Sequence, residues 1–246
     1  MNTRRKFLLQ GSMATTALLI ADPFKSLANA LSPVTGYSMN DHKIVLIHTG
    51  NSNESIQHQT IKEVNLLKRN TGNLVHIHTG GLNEANSKQM KYDVCMEPAL
   101  TDAISLNDYD YSIIYKGNIK IGIVKVAAGG KEILEKINTI SAHLKNEKNC
   151  QLVVCLSQLG YKNKTAVDDI QLANSSTCID VIISGHPQNF SANTVIAQNS
   201  NKGEVIIHTS SGNGFALGNI EIGFDKKFNK NYIAINNLLT RITDNN

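Results

Sequence analysis

Apolar residues fall along this chain in short runs that end in small or polar residues. "KIVLIHTG" (43–50), "LVHIHTGG" (74–81), "IKIGIVKV" (119–126), "CQLVVCLSQLG" (150–160) and "CIDVIISGHP" (178–187) are the clearest of them. Their length, their content of Ile and Val and the turn residues at their ends predict strands. "EVIIHTSSGNG" (204–214) and "LGNIEIGFD" (217–225) follow, and the glycines between them read as the turn of an antiparallel hairpin. The spacers differ in period. In "HQTIKEVNLLKRNTG", Ile61, Val64 and Leu67 stand at helical spacing with Gly72 as a stop, and "KEILEKINTISAHLKN" (131–146) and "AVDDIQLANSS" (166–176) read as two further helices. Residues 83–112 are polar and weakly patterned, with a short helix expected near Leu100–Ile104. Strands alternating with helices predict a layered α/β domain whose functional residues sit on loops beyond the strand ends.

The N-terminus has a different logic. Thr3-Arg4-Arg5-Lys6-Phe7-Leu8, the apolar run "GSMATTALLIA" and the small-x-small triplet Ala28-Asn29-Ala30 together predict a twin-arginine export signal over residues 1–30. The apolar run is far shorter than the roughly 20 residues that span a bilayer. The expected mature protein is therefore residues 31–246, one domain without a transmembrane segment, periplasmic or secreted. The signal holds Arg4, Arg5, Lys6 and Lys25 against Asp22, so most of the formal charge of +4 leaves with it. A chain so near neutrality, with no basic run interleaved with aromatics, is not expected to bind nucleic acid. Cys95, Cys150, Cys155 and Cys178 lack zinc-ribbon spacing and read as buried thiols, although export permits a disulfide whose partners the sequence does not choose.

The order "LVVCLSQLGY", "DDIQLANSSTCIDVIISGHPQNF", "GEVIIHTSSGNGFALGNIEIGFD" resembles the catalytic domain of the 5′-nucleotidase and UDP-sugar hydrolase group of calcineurin-like metallophosphoesterases. The likeness runs from Gly117 to Asp225 and, less densely, over residues 43–82. It implies a four-layer αββα sandwich of two mixed sheets, and two divalent metals held by Asp, His and Asn at the strand ends, which generate a hydroxide and clamp phosphate oxygens.

This chain departs from that pattern where the metals would sit. The family's H-T-N-D-x-H becomes His48-Thr49-Gly50-Asn51-Ser52-Asn53, so Asn51 and Asn53 replace an Asp and a His; D-x-G-D becomes His78-Thr79-Gly80-Gly81, so Gly81 replaces the bridging carboxylate. No G-N-H-[DE] motif follows "KYDVCMEP". L-S-H-x-G becomes Leu156-Ser157-Gln158-Leu159-Gly160, and G-G-H-[ST]-H becomes Ser184-Gly185-His186-Pro187-Gln188. His186 alone remains of the ligands. Two dications about 3.5 Å apart repel by roughly 19 kcal/mol at an effective dielectric near 20, a cost that anionic ligands must offset and neutral amides do not.

The resemblance therefore implies an exported nucleotidase-like protein that is catalytically inactive, needs no cofactor, and binds a phosphorylated small ligand or a separate nucleotidase subunit. The competing expectation is an active nucleotide phosphohydrolase with an altered zinc or manganese site. "LIHTG", "HIHTG" and "IIHTS" end three strands alike, which makes His48, His78 and His208 candidate replacement ligands beside His186. Gly129-Gly130 and Gly212-Asn213-Gly214 are candidate anion nests, or tight turns.

Overall fold

The computed structural model describes residues 42–50, 54–79, 91–96, 104–105, 110–127, 130–162, 166–185, 193–209 and 216–239. The expected export signal lies outside them. Among the described residues, twelve strands form two six-stranded sheets.

The first sheet has the order β12 (Lys230–Leu239), β11 (Ala216–Phe224), β1 (His42–Thr49), β2 (Leu74–His78), β3 (Val94–Cys95) and β4 (Ile104–Ser105). Strands β1 to β4 are parallel, while β11 runs antiparallel to β1 and β12 antiparallel to β11. The second has the order β5 (Tyr111–Lys116), β6 (Ile119–Val126), β7 (Leu152–Ser157), β8 (Val181–Ser184), β10 (Glu204–Thr209) and β9 (Asn193–Gln198). Its four middle strands are parallel, and β5 and β9 are antiparallel edges.

The sheets pack face to face. Ile44 and Leu46 of β1, Val75 and Ile77 of β2, and Ile220 and Ile222 of β11 meet Ile121, Ile123, Leu152, Val154, Leu156, Val181 and Ile183 of the opposite sheet in one dry core. Each aliphatic side chain removed from water there contributes about 1.5–3 kcal/mol.

The outer faces are covered by helices. On α1 (Glu54–Asn70), Val64 and Leu67 cover Val45, Ile47, Leu74 and Leu217. On α2 (Glu132–Ala142), Ile133 and Ile137 lie one turn apart over Val124, Val126 and Cys155. The seven-residue α3 (Asp169–Ser175) adds Leu172 and Ala173, and its N-cap Asp168 accepts from the Gln171 N–H at 2.8 Å. The result is the expected four-layer αββα sandwich of mixed sheets.

Several expected elements change. The stretch read as one helix over 131–146 ends at Ala142 and continues as a π-helical turn over His143–Glu147. Ile104, expected to close a short helix, lies instead in β4 beside β3, while residues 97–103 lie outside the described residues. The final two apolar runs are not a hairpin: β10 pairs with β8 and β9, and β11 pairs with β1 and β12 in the other sheet. Both strands are buried on both faces, so their composition does not encode a partner. Five strands were missed: β4, β5, β9 and β12 are sheet edges, where polar residues such as those of "KNYIAINNLL" are tolerated, and β3, inside the first sheet, is only two residues long. The four cysteines are free.

Ionic contacts join the sheets at two places: Lys116, the last residue of β5, pairs with Asp93, just before β3, at 2.7 Å, and a larger cluster forms at Asp180. Asp180, just before β8 and 6% exposed, accepts from Lys145 Nζ and the Val153 N–H at 2.9 and 2.8 Å and from Lys230 Nζ of β12 in the opposite sheet. Removing its carboxylate leaves the Val153 N–H unpaired, while the lysines, about 30% exposed, still reach water. Asp180→Ala is expected to lower the free energy of unfolding in urea by about 2–3 kcal/mol.

Candidate functional site

Parallel strands deliver their C-terminal ends to the same side of a sheet. Here β1, β2, β7, β8 and β10 bring Gly50, Thr79, Gln158, Gly185 and Thr209 to one side of the sandwich, which forms the candidate site. Backbone hydrogen bonds fix these ends: Thr79 N–H donates to Thr49 O at 2.9 Å, Gln158 N–H to Val126 O at 2.9 Å and Gly185 N–H to Ser157 O at 2.7 Å. The two sheets nearly touch there, since a Cβ on Gly185 would overlap the carbonyl oxygen of Thr79. Only glycine permits that approach.

The loop after β7 is held from below. Ser157 Oγ donates to the buried carboxylate of Asp169 and accepts the Leu159 N–H at 3.1 Å, and the Asp169 N–H donates to Gly160 O at 2.9 Å. Half-buried Gln158 is thereby set at the site. Asn51, Asn53, Gly81, His186 and Gln188 lie outside the described residues, as do Gly129 and Gly212 to Gly214 of the candidate nests.

The three candidate replacement histidines do not converge. Along β1, Ile44 and Leu46 face the other sheet and Val45 and Ile47 face α1, so the pleat turns His48 toward the other sheet. His208 follows Ile206 on the inner face of β10. The rings meet, with His48 Nε2 2.6 Å from His208 Nδ1, edge to face, and both residues are fully buried. Gly218, which pairs with His48 across the ladder, makes room: a side chain there would overlap the His48 ring.

His78 points the other way. Strand β2 pairs with β1 so that His48 lies opposite Ile77 and Thr49 opposite His78. The two "IHTG" motifs are thus offset by one residue, and one residue of offset exchanges the faces of a strand. His78 sits on the α1 side, sharing a hydrogen bond with Thr49 Oγ1 at 3.0 Å. His76 lies there too, and Tyr92 packs its ring against both imidazoles at centroid distances of 4.4 and 4.9 Å. His76 was not singled out in the sequence. The signal was the alternation His-x-His, which places both rings on one face of a strand.

Burial dominates the electrostatics. It drives the pKa of His48 and of His76 well below the ordinary imidazole value, and repulsion between a proton there and neighbouring basic groups adds to the fall: His208 and His76 for His48, Lys68 and His78 for His76. Burial lowers His208 to about 4, with Asn237 of β12 opposing part of the shift. Neutral imidazoles can bind metal, but a site needs several donors at one point. Among the described residues no three of His, Cys, Asp and Glu gather to hold an ion. The described donors at the strand ends, one amide and threonine and backbone oxygens, do not fit a two-metal centre.

Solved structures of the same architecture exist. A 5′-nucleotidase precursor from Thermus thermophilus superposes over 81% of this chain and 55% of its own, with a TM-score of 0.65 and 13% identity. The chain has the 5′-nucleotidase metallophosphoesterase fold. The NAD nucleotidase of Haemophilus influenzae shares that fold over 80% of this chain and 49% of its own, with a TM-score of 0.63 and 13% identity. The chain thus spans about half the length of these two nucleotidases. A hypothetical protein from Thermus thermophilus matches 80% of this chain over 100% of its own length, with a TM-score of 0.55 and 8% identity. No family model and no curated protein sequence matches. No helix among the described residues is long and apolar enough to cross a membrane.

Within this nucleotidase fold, the contact of Gly218 with His48 gives a test. Gly218→Ala is expected to destabilise the protein by about 2 kcal/mol through the overlap with the imidazole. In a His48→Ala background the ring is gone, and the added cost of Gly218→Ala should fall below about 0.5 kcal/mol in the same urea titration.

Proposed function

We propose that this protein is an exported nucleotidase-fold binding protein without phosphohydrolase activity, whose ligand is a phosphorylated small molecule or a separate nucleotidase subunit. The observation that supports this reading best is the disposition of polar groups around the strand ends. A neutral amide, Gln158, stands at the position that the motif comparison gives to a ligand histidine. The nearest buried imidazoles, His48 and His208, hold each other in the dry core. His78 is bonded to Thr49 on the far face of its sheet. With asparagines at 51 and 53 and glycine at 81, the chain carries little negative charge with which to hold two dications.

In this reading the fold outlasts the chemistry. The strand ends keep their places after the residues on them change, because the packing beneath them does not depend on those residues. Backbone N–H groups and amide side chains can bind a phosphate without metal. The N-terminal pattern of residues 1–30 supports export through the twin-arginine route to the periplasm or beyond, with residues 31–246 acting as one domain.

The experiment is metal analysis and turnover on the exported protein, purified without chelator and offered zinc and manganese, beside His186→Ala. The expected result is less than about a tenth of an equivalent of metal and no hydrolysis of nucleoside monophosphate or p-nitrophenyl phosphate. Thermal stability should rise with nucleoside monophosphate in chelator, or with a co-purified nucleotidase, by the mass-action effect of binding the native state. Stoichiometric metal that is lost in His186→Ala, together with turnover, would replace this reading by an active hydrolase with an altered centre.

A further inference from the structure

The His48–His208 contact has a feature that ordinary core pairs lack: it joins the two sheets through atoms that take up protons. His48 belongs to β1 of one sheet and His208 to β10 of the other. Their hydrogen bond lies at the end of the inter-sheet core nearest the candidate site, beyond Leu46 on β1 and Ile206 on β10. The row across the first sheet at this level is His48, Gly218 and Asn237. His48 Nδ1, His208 Nε2 and Asn237 Oδ1 are buried there without a hydrogen bond of normal geometry.

Proton counting limits what this contact withstands. Two neutral imidazoles carry two N–H groups and two bare nitrogens. One bare nitrogen accepts the bond between the rings, so one remains, at His48 Nδ1 or at His208 Nε2 according to the tautomer. A first proton from solvent goes there and creates a buried cation. A second must bind a nitrogen within the contact, which sets two N–H groups against each other at 2.6 Å and breaks it. Among the described residues, the groups that act on the rings are His76 from β2, which disfavours the cation, and the Asn237 dipole from β12, which offsets part of the burial cost; Gly218 of β11 contributes no polar side chain. No carboxylate is among these groups to balance the charge, in contrast to the lysines at Asp180.

We propose that His48 and His208 form an acid-sensitive seam that holds the site end of the two sheets together when neutral and releases the ends of β1 and β10 when protonated. The seam is independent of whether the protein binds a ligand or hydrolyses one. Both rings take protons less readily folded than unfolded, so their contribution is complete above the ordinary imidazole pKa of 6.5 and is withdrawn as pH falls toward about 4 at His208.

Amide hydrogen exchange on the intact protein tests this, with protection factors corrected for intrinsic chemistry at about pH 7 and pH 4.5. Protection at Ile47–Thr49 and Ile207–Thr209 is expected to fall at least about tenfold, while Val153 and Val154, beside the Asp180 contact, change by less than about twofold. The double variant His48→Leu, His208→Leu should lose that difference. Equal loss at both ends, or the same acid response in the double variant, overturns the proposal. If the double variant does not fold, nitrogen NMR of the wild-type histidines decides: both rings neutral down to about pH 5.5 supports the seam, and either ring titrating near 6.5 overturns it.

Discussion

The two sheets must bury their inner faces against each other, and the rest of the structure depends on that constraint. A parallel strand cannot return through a tight turn, so its connection crosses outside the sheet and supplies the helix that covers the outer face. Helix α1 does this for the first sheet, and α2 and α3 for the second. The same requirement collects the C-terminal ends of the parallel strands on one side. The position of the candidate site follows from chain direction alone. Its chemistry depends on which residues happen to end the strands.

The two ends of the inter-sheet core are held by different chemistry. At one, the nearly buried carboxylate of Asp180 accepts from two ammonium groups and a backbone N–H. At the other, burial keeps His48 and His208 neutral, and among the groups that act on the rings only the Asn237 side chain offsets part of that cost. The first contact joins opposite charges, the second two neutral rings. Both tie one sheet to the other, and neither needs a ligand to do so.

The central elements were legible in the sequence because continuous runs of Ile and Val have few alternatives. "IKIGIVKV" became β6 over the predicted residues, and "LVVCLS" became β7. Edge strands were not legible: β9 and β12 need satisfy burial on fewer sides and tolerate Asn, Gln and Thr. The last hairpin failed for a related reason. Glycines and asparagine between two strands suit a turn, but they equally suit a passage from one sheet to the other. Of the motif positions, Gln158 stands at the candidate-site end of the sandwich, while Asn51, Asn53, Gly81, His186 and Gln188 lie outside the described residues. The supporting role of Asp169 was not readable, because a carboxylate in "DDIQLANSS" gives no sign of the serine it will meet.

By itself the sequence determined most of the long strands and the helices between them, and which amides and glycines stand at positions 51, 53, 81, 158 and 188. These follow from local composition. Tertiary structure decided which histidines meet. "LIHTG" and "HIHTG" are nearly identical words, but β1 and β2 align one residue out of step, and the pleat sends His48 into the inter-sheet core and His78 under α1. Register arises between strands, from packing on both faces at once, and a single strand does not encode it.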